Sequence, residues 1–170
     1  MHLTSRETWT LVHGLIIGSF FLLAFAGGLA GLWSLRTELV TEEGARERLR
    51  RLRVGITAMA VAAWATVLTG TWVVYPWYRE KVPTSPKSIL LSKPSTKDWH
   101  EFGMEWKEHI AWIAPMLATA AAFIVLYYGR RLVRDTTLRK IVLVLFVGAF
   151  ATAAIAGIFG ALITKAAPVR

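Results

Sequence analysis

Cysteine is absent from the 170-residue chain, which excludes a disulfide-stapled secreted fold and any thiolate-held zinc or iron–sulfur centre. Charge is also scarce. Asp, Glu, Lys and Arg make up 18% of the residues, against about a quarter in an ordinary soluble domain. The charges present are clustered, so long stretches have none. With 55% hydrophobic residues, the chain is not a disordered one either. A formal net charge of +9 would point to nucleic acid in a soluble protein. Beside long uncharged runs, Lys and Arg gather in connections for topological reasons instead, and no nucleic-acid partner is expected.

Four runs lack Asp, Glu, Lys and Arg: Thr8 to Leu35, Val54 to Tyr78, Ile110 to Gly129 and Ile141 to Thr164. The shortest has 20 residues. A hydrocarbon core about 30 Å thick takes roughly 20 helical residues to cross, so each run is long enough. The predicted fold is all-α: one integral membrane domain over 1–170, a four-helix bundle in contact with lipid. Its spans lie at about 8–35, 54–78, 105–129 and 141–164, and an extended external connection covers 79–104. Leu11 to Leu23 followed by Ala24-Phe25-Ala26 imitates a signal-peptide core and cleavage site. Arg6 and Glu7 cancel, however, and the apolar run continues to Leu35, so no cleavage is expected.

The connections at 36–53 and 130–140 hold Arg36, Arg46, Arg48, Arg50, Arg51, Arg53, Arg130, Arg131, Arg134, Arg139 and Lys140. The remaining Lys and Arg are spread more thinly over the N-terminus, the 79–109 connection and the C-terminus. The denser side is predicted to be cytoplasmic, which puts both termini on the external or periplasmic side. The stretch from Glu42 to Arg53 has a composition that RNA or anionic lipid would attract. Its acidic residues stand at helical spacing from arginines, as Glu43 and Glu47 do from Arg46, Arg50 and Arg51. A charged helix end on the cytoplasmic side accounts for that pattern.

Aromatic residues favour the other side. Trp9, Trp72, Trp77, Trp99, Trp106 and Trp112 fall at or near the external ends of the spans, with Tyr75 and Tyr78. An interfacial belt explains Trp and Tyr in general, but six of eight Trp on one side exceeds what anchoring requires. The connection Val82 to Lys97 contains Pro83, Pro86 and Pro94 and is predicted to be extended. Asp98 and Glu101 form a capping-box spacing, predicting that the third helix starts near Trp99. Gly14-x-x-x-Gly18 and Gly27-x-x-x-Gly31 on the first helix, and Ala149, Ala153, Ala156, Gly157 and Gly160 on the fourth, are predicted faces of close helix contact. Pro115 is expected to kink the third helix near Ala111.

Of the four histidines, His13 sits inside an uncharged run and His109 immediately before another. Ionisable residues at membrane depth are functional candidates by default. The first and third spans run in one direction, so the two imidazoles lie within about two helical turns of each other in depth. The two halves also echo each other, Glu7, Trp9 and His13 against Glu105, Trp106 and His109. A parallel repeat of this kind would place the histidines across the bundle centre. Two neutral imidazoles facing each other in an apolar bundle are what a bis-histidine haem b requires. Gly70, Gly157 and Gly160 would leave room for the macrocycle, and Arg79, Lys81, Lys107 or Lys165 would meet its propionates.

In this arrangement the chain resembles four-helix membrane cytochromes of the b type, in which histidines on parallel helices clamp haem. The resemblance covers the architecture and one histidine pair, and it implies a single haem. It also implies electron transfer between the quinone pool or a membrane complex and an external carrier, in an electron-transport subunit rather than a stand-alone enzyme. Two other functions fit the sequence. Glu101, Glu105 and His109 recur at i, i+4 and i+8, and with Glu7, His13 or His100 they would make a carboxylate–imidazole metal site. A cofactor-free accessory subunit of a larger respiratory or photosynthetic membrane complex is the third. Met104 as an iron ligand and Tyr75-Pro76-Trp77-Tyr78 as a quinone pocket each have an ordinary packing or belt explanation.

Overall fold

The computed structural model describes residues 2–35 and 41–168. Arg36, one of the basic residues used for orientation, lies outside them. The described residues form helices and no strand. Four helices are long and apolar enough to cross a membrane: α1 (Ser5–Ser34), α2 (Glu42–Tyr78), α4 (Pro94–Tyr128) and α6 (Thr136–Ala166). Between them lie two short ones, α3 (Pro86–Leu91) and α5 (Arg131–Arg134).

The helices begin where side chains satisfy their free N–H groups. Thr4 and Glu7 make a reciprocal capping box at α1, with the Thr4 N–H donating to the Glu7 carboxylate at 2.8 Å. Thr41 caps α2, and Asp135 caps α6 by accepting from the Leu138 N–H at 2.9 Å. Asp98 makes no capping bond; α4 already starts at Pro94, four residues earlier. The 79–104 connection is not extended throughout, because two of its prolines initiate helices. Proline has no N–H to leave unsatisfied at a first helical position and its φ is already helical. Ser85 caps the turn that Pro86 opens.

Neighbouring helices run antiparallel. α6 packs along α4, α1 along α2, and α2 along α4, while α1 touches α6 over a shorter length, leaving α1 and α4 diagonal. The main core joins Leu52, Ile56 and Met59 of α2, Ala118, Ala121 and Val125 of α4, and Val142, Phe146 and Ala149 of α6. Alanines are frequent in the buried faces of α2 and α4, Ala60, Ala62 and Ala63 on one and Ala118, Ala121 and Ala122 on the other, as suits close helix packing. Large apolar side chains such as Leu23, Val61, Phe123 and Val144 point outward from all four helices.

The small residues follow expectation in part: a Cβ on Gly31 would lie 3.4 Å from Leu52 of α2, and Ala149 and Ala156 are buried. A Cβ on Gly14, Gly18, Gly27 or Gly157 would meet no atom within 4 Å, so these positions do not bring helices together. Gly28 does, because the Phe146 ring lies directly against it, and a Cβ on Gly55 would come within 3.7 Å of the Gly28 nitrogen. Gly27 and Gly28 are about 100° apart around the helix, and only the second faces the core.

Candidate functional site

The end of the molecule formed by the start of α1, the end of α2, the start of α4 and the end of α6 gathers all four histidines; it is called the histidine end below. Three of its helices contain a π-turn: Val12–Ile16 in α1, Gly70–Val74 in α2 and Trp99–Met104 in α4. Such turns insert a residue into the helix and occur frequently at functional sites.

His13 lies in the first π-turn and is half-buried. Its Nδ1 is 2.9 Å from Thr69 Oγ1 on α2. The Thr69 hydroxyl spends its hydrogen on the Ala65 carbonyl, 2.7 Å away. Its oxygen therefore accepts, the proton of His13 sits on Nδ1, and Nε2 keeps a lone pair. The room for this ring comes from Gly70, where a Cβ would stand 2.9 Å from His13 Cε1.

His109 is held in the same tautomer by other means. Its Nδ1 is 2.7 Å from the Glu105 carbonyl. A carbonyl only accepts, so Nε2 is again the free lone pair. The ring is exposed, on the outside of α4, and among the described residues no hydrogen bond or ring contact links it to His13. Lys107, two residues earlier and so about 200° around the helix, takes the inward direction. Its Cε would be 3.1 Å from a Cβ on Gly160 of α6. Lys107 makes no hydrogen bond or ion pair among the described residues.

No protein family, curated protein or solved structure matches this chain. What the site does must therefore be argued from its own side chains.

Gly70 and Gly160 are filled by His13 and Lys107, while Gly157 faces open space. Arg79 donates to Glu105 at 2.8 Å and to Glu108 at 3.4 Å, with its guanidinium 4.8 Å from the Tyr75 ring centre. Lys81 and Lys165 are exposed. The expected carboxylate–imidazole face is dispersed: Glu101 pairs with Lys97 at 3.0 Å, Glu105 with Arg79, and Glu7 with its own cap. The π-turn Trp99–Met104 shifts the register that would have aligned Glu101 with Glu105 and His109. Among the described residues no three His, Asp or Glu converge as a metal cage would require. His100 is buried, with Nδ1 2.9 Å from the Tyr78 hydroxyl. Met104 packs with Tyr78, Leu90 and Ile163.

Sequence reasoning did not single out Thr69, whose role depends on a contact 56 residues away. The Arg6–Glu80 pair, two bonds of 2.6 and 3.0 Å between α1 and the residue pair after α2, was equally invisible. The only local signal was the π-turn glycine at position 70, unusual beside three bulky neighbours. The histidine end thus holds two separate imidazoles, each with Nε2 free, the Lys107 side chain against Gly160, and a rim of tyrosine, arginine and carboxylate.

Proposed function

We propose that the chain is a multi-pass membrane protein of the electron-transfer type. It crosses the bilayer four times with both termini external, and it holds one haem b through His13 and His109. The observation that carries this reading is the shared state of the two imidazoles. Each has Nδ1–H tied to an oxygen acceptor and Nε2 free, the second-shell arrangement that prepares histidine to bind a metal. The nitrogen donors suit a haem iron, whereas the placement of the two rings does not: His109 is exposed on the outside of α4 and no contact joins it to His13 among the described residues. When bound, the haem would supply one-electron chemistry with no acid–base residue required.

The chain's own residues have three tasks in this reading. Thr69 orients His13, Gly70 gives it room, and Arg79 with Lys107 supplies positive charge for carboxylate groups at the external face. His109 would meet the same iron as His13 only after α4 turned by about half a revolution, which the buried Ala118, Ala121 and Val125 oppose. An absorption spectrum of the purified protein, expressed with ample haem supply, tests the proposal. A reduced b-type band lost in His13→Ala and in His109→Ala, and kept in His100→Ala, supports it. No band in the unaltered protein sinks it. Loss in His13→Ala and Lys107→Met with retention in His109→Ala reassigns the second ligand.

The exposure of His109, with Trp72 and Trp106 also outward at the same end, favours a second reading. In this one the protein is a cofactor-free subunit whose aromatic rim docks against a larger membrane complex. A colourless chain that co-purifies with partners, and releases them on Trp72→Ala and Trp106→Ala, selects it.

A further inference from the structure

The opposite end, predicted to be cytoplasmic, carries a groove that the electron-transfer reading leaves unused. It lies between α1 and α2 and encloses about 670 Å³. Leu23, Ala24, Gly27 and Val54 form its apolar wall, and Arg50 and Arg51 stand at its mouth. Gly27 opens the space, since a Cβ there would meet nothing within 4 Å. Gly55 sets its depth, lying against the backbone of Ala24 and Gly28. From the arginines the groove descends along α2 toward the middle of the apolar run of α1. Leu23 and Val54 are 73% and 67% exposed within it, an arrangement that suits hydrocarbon.

The mouth has spare positive charge. Arg50 and Arg51 share one carboxylate, Glu47, at 3.0 and 2.8 Å, and their side chains are 75% and 77% exposed. Each guanidinium has five N–H donors, so one carboxylate leaves most of them open. Paired guanidiniums match the oxygens of a phosphate. We propose that the groove holds one acyl chain of an anionic phospholipid, with the headgroup phosphate on Arg50 and Arg51. The proposal rests on the membrane reading of α1 and α2 and is independent of any haem.

Native mass spectrometry of the full chain, purified in mild detergent, delipidated and supplied with phosphatidylglycerol or phosphatidylcholine, tests it. One phosphatidylglycerol per chain is expected, retained about tenfold or more over phosphatidylcholine. Arg50→Gln with Arg51→Gln, and separately Gly27→Leu, should each lower retention by about the same factor. Glu47→Gln should raise it. Equal retention of both lipids, or indifference to Gly27→Leu in protein with an unchanged unfolding midpoint, overturns the proposal. Displacement by excess inorganic phosphate would assign the arginines to a free anion and overturn it as well. Carbonate extraction of membranes keeps the two readings apart. A chain that resists carbonate yet retains no lipid overturns the groove alone, and a chain that carbonate releases overturns the membrane reading with it.

Discussion

The two ends of the helices use charge in opposite ways. At the histidine end, beside the local Lys97–Glu101 pair, cations and carboxylates also meet across elements: Arg6 meets Glu80, and Arg79 meets Glu105 and Glu108. At the arginine end the ion pairs among the described residues are local, Glu47 with Arg50 and Arg51 one turn away. Two other guanidiniums there turn to backbone oxygens. Arg48 donates to the Ser34 carbonyl at 2.6 Å, and Arg139 to those of Leu132 and Val133 at 2.9 and 2.6 Å. Arginine beside free carbonyls at a helix C-terminus complements the helix dipole. Arg53 lies against Gly129 with its Nε buried and unbonded. One end is cross-linked by charge; the other is charged and outward-facing, which suits contact with an anionic surface.

The largest expected effect in this comparison is at the histidine end. Tyr78→Phe leaves the buried His100 Nδ1 without its partner, and an unsatisfied buried polar atom costs about 1–3 kcal/mol. The unfolding midpoint in a fixed detergent should fall; an unchanged midpoint would remove Tyr78–His100 from the cross-linking network. At the arginine end the corresponding weak point is backbone, not a side-chain bond. Gly129 has φ of 47°, where an L side chain costs roughly 1–2 kcal/mol, and a Cβ there would also stand 2.6 Å from the Arg53 guanidinium. Gly129→Ala should destabilise by at least the backbone cost, in the same assay.

Smaller effects separate the two kinds of ion pair. Arg79→Gln removes links to both Glu105 and Glu108, groups partly open to solvent, so the loss should be about 0.2–1 kcal/mol and should shrink as salt is added. Glu47→Gln breaks only pairs within α2 between solvent-exposed groups, so it should move the unfolding midpoint least of all. If Glu47→Gln cost as much as Arg79→Gln across a salt series, the distinction between cross-linking and local charge would fail.

How far the residues announced this arrangement differs from feature to feature. The four long helices follow from uncharged runs, because a membrane-length apolar stretch has few alternatives once its backbone must satisfy its own hydrogen bonds. The prolines of 79–104 misled, since proline stops a helix in its interior and starts one at its first turn, and only Ser85 in its capping position told which applied to Pro86. His13 was legible as a candidate from its apolar surroundings. Its tautomer was not, because that depends on Thr69 and, through it, on Ala65. The placement of His109 was misjudged by matching depth alone. Two residues on the same turn share a depth but face opposite ways, and α4 presents Lys107 inward.

By itself, then, the sequence determined the number of membrane-length helices, the segments where arginine accumulates and the candidates for ligation. These depend on composition along one dimension, where hydrophobicity and charge are already complete as information. The tertiary structure alone decided which glycines face a neighbour, which ring nitrogen is free and which residue of α4 points inward. Each of those is an angle about a helix axis, and that angle is set by how Phe146, Gly28 and the alanine faces pack, not by the order of residues along any one helix.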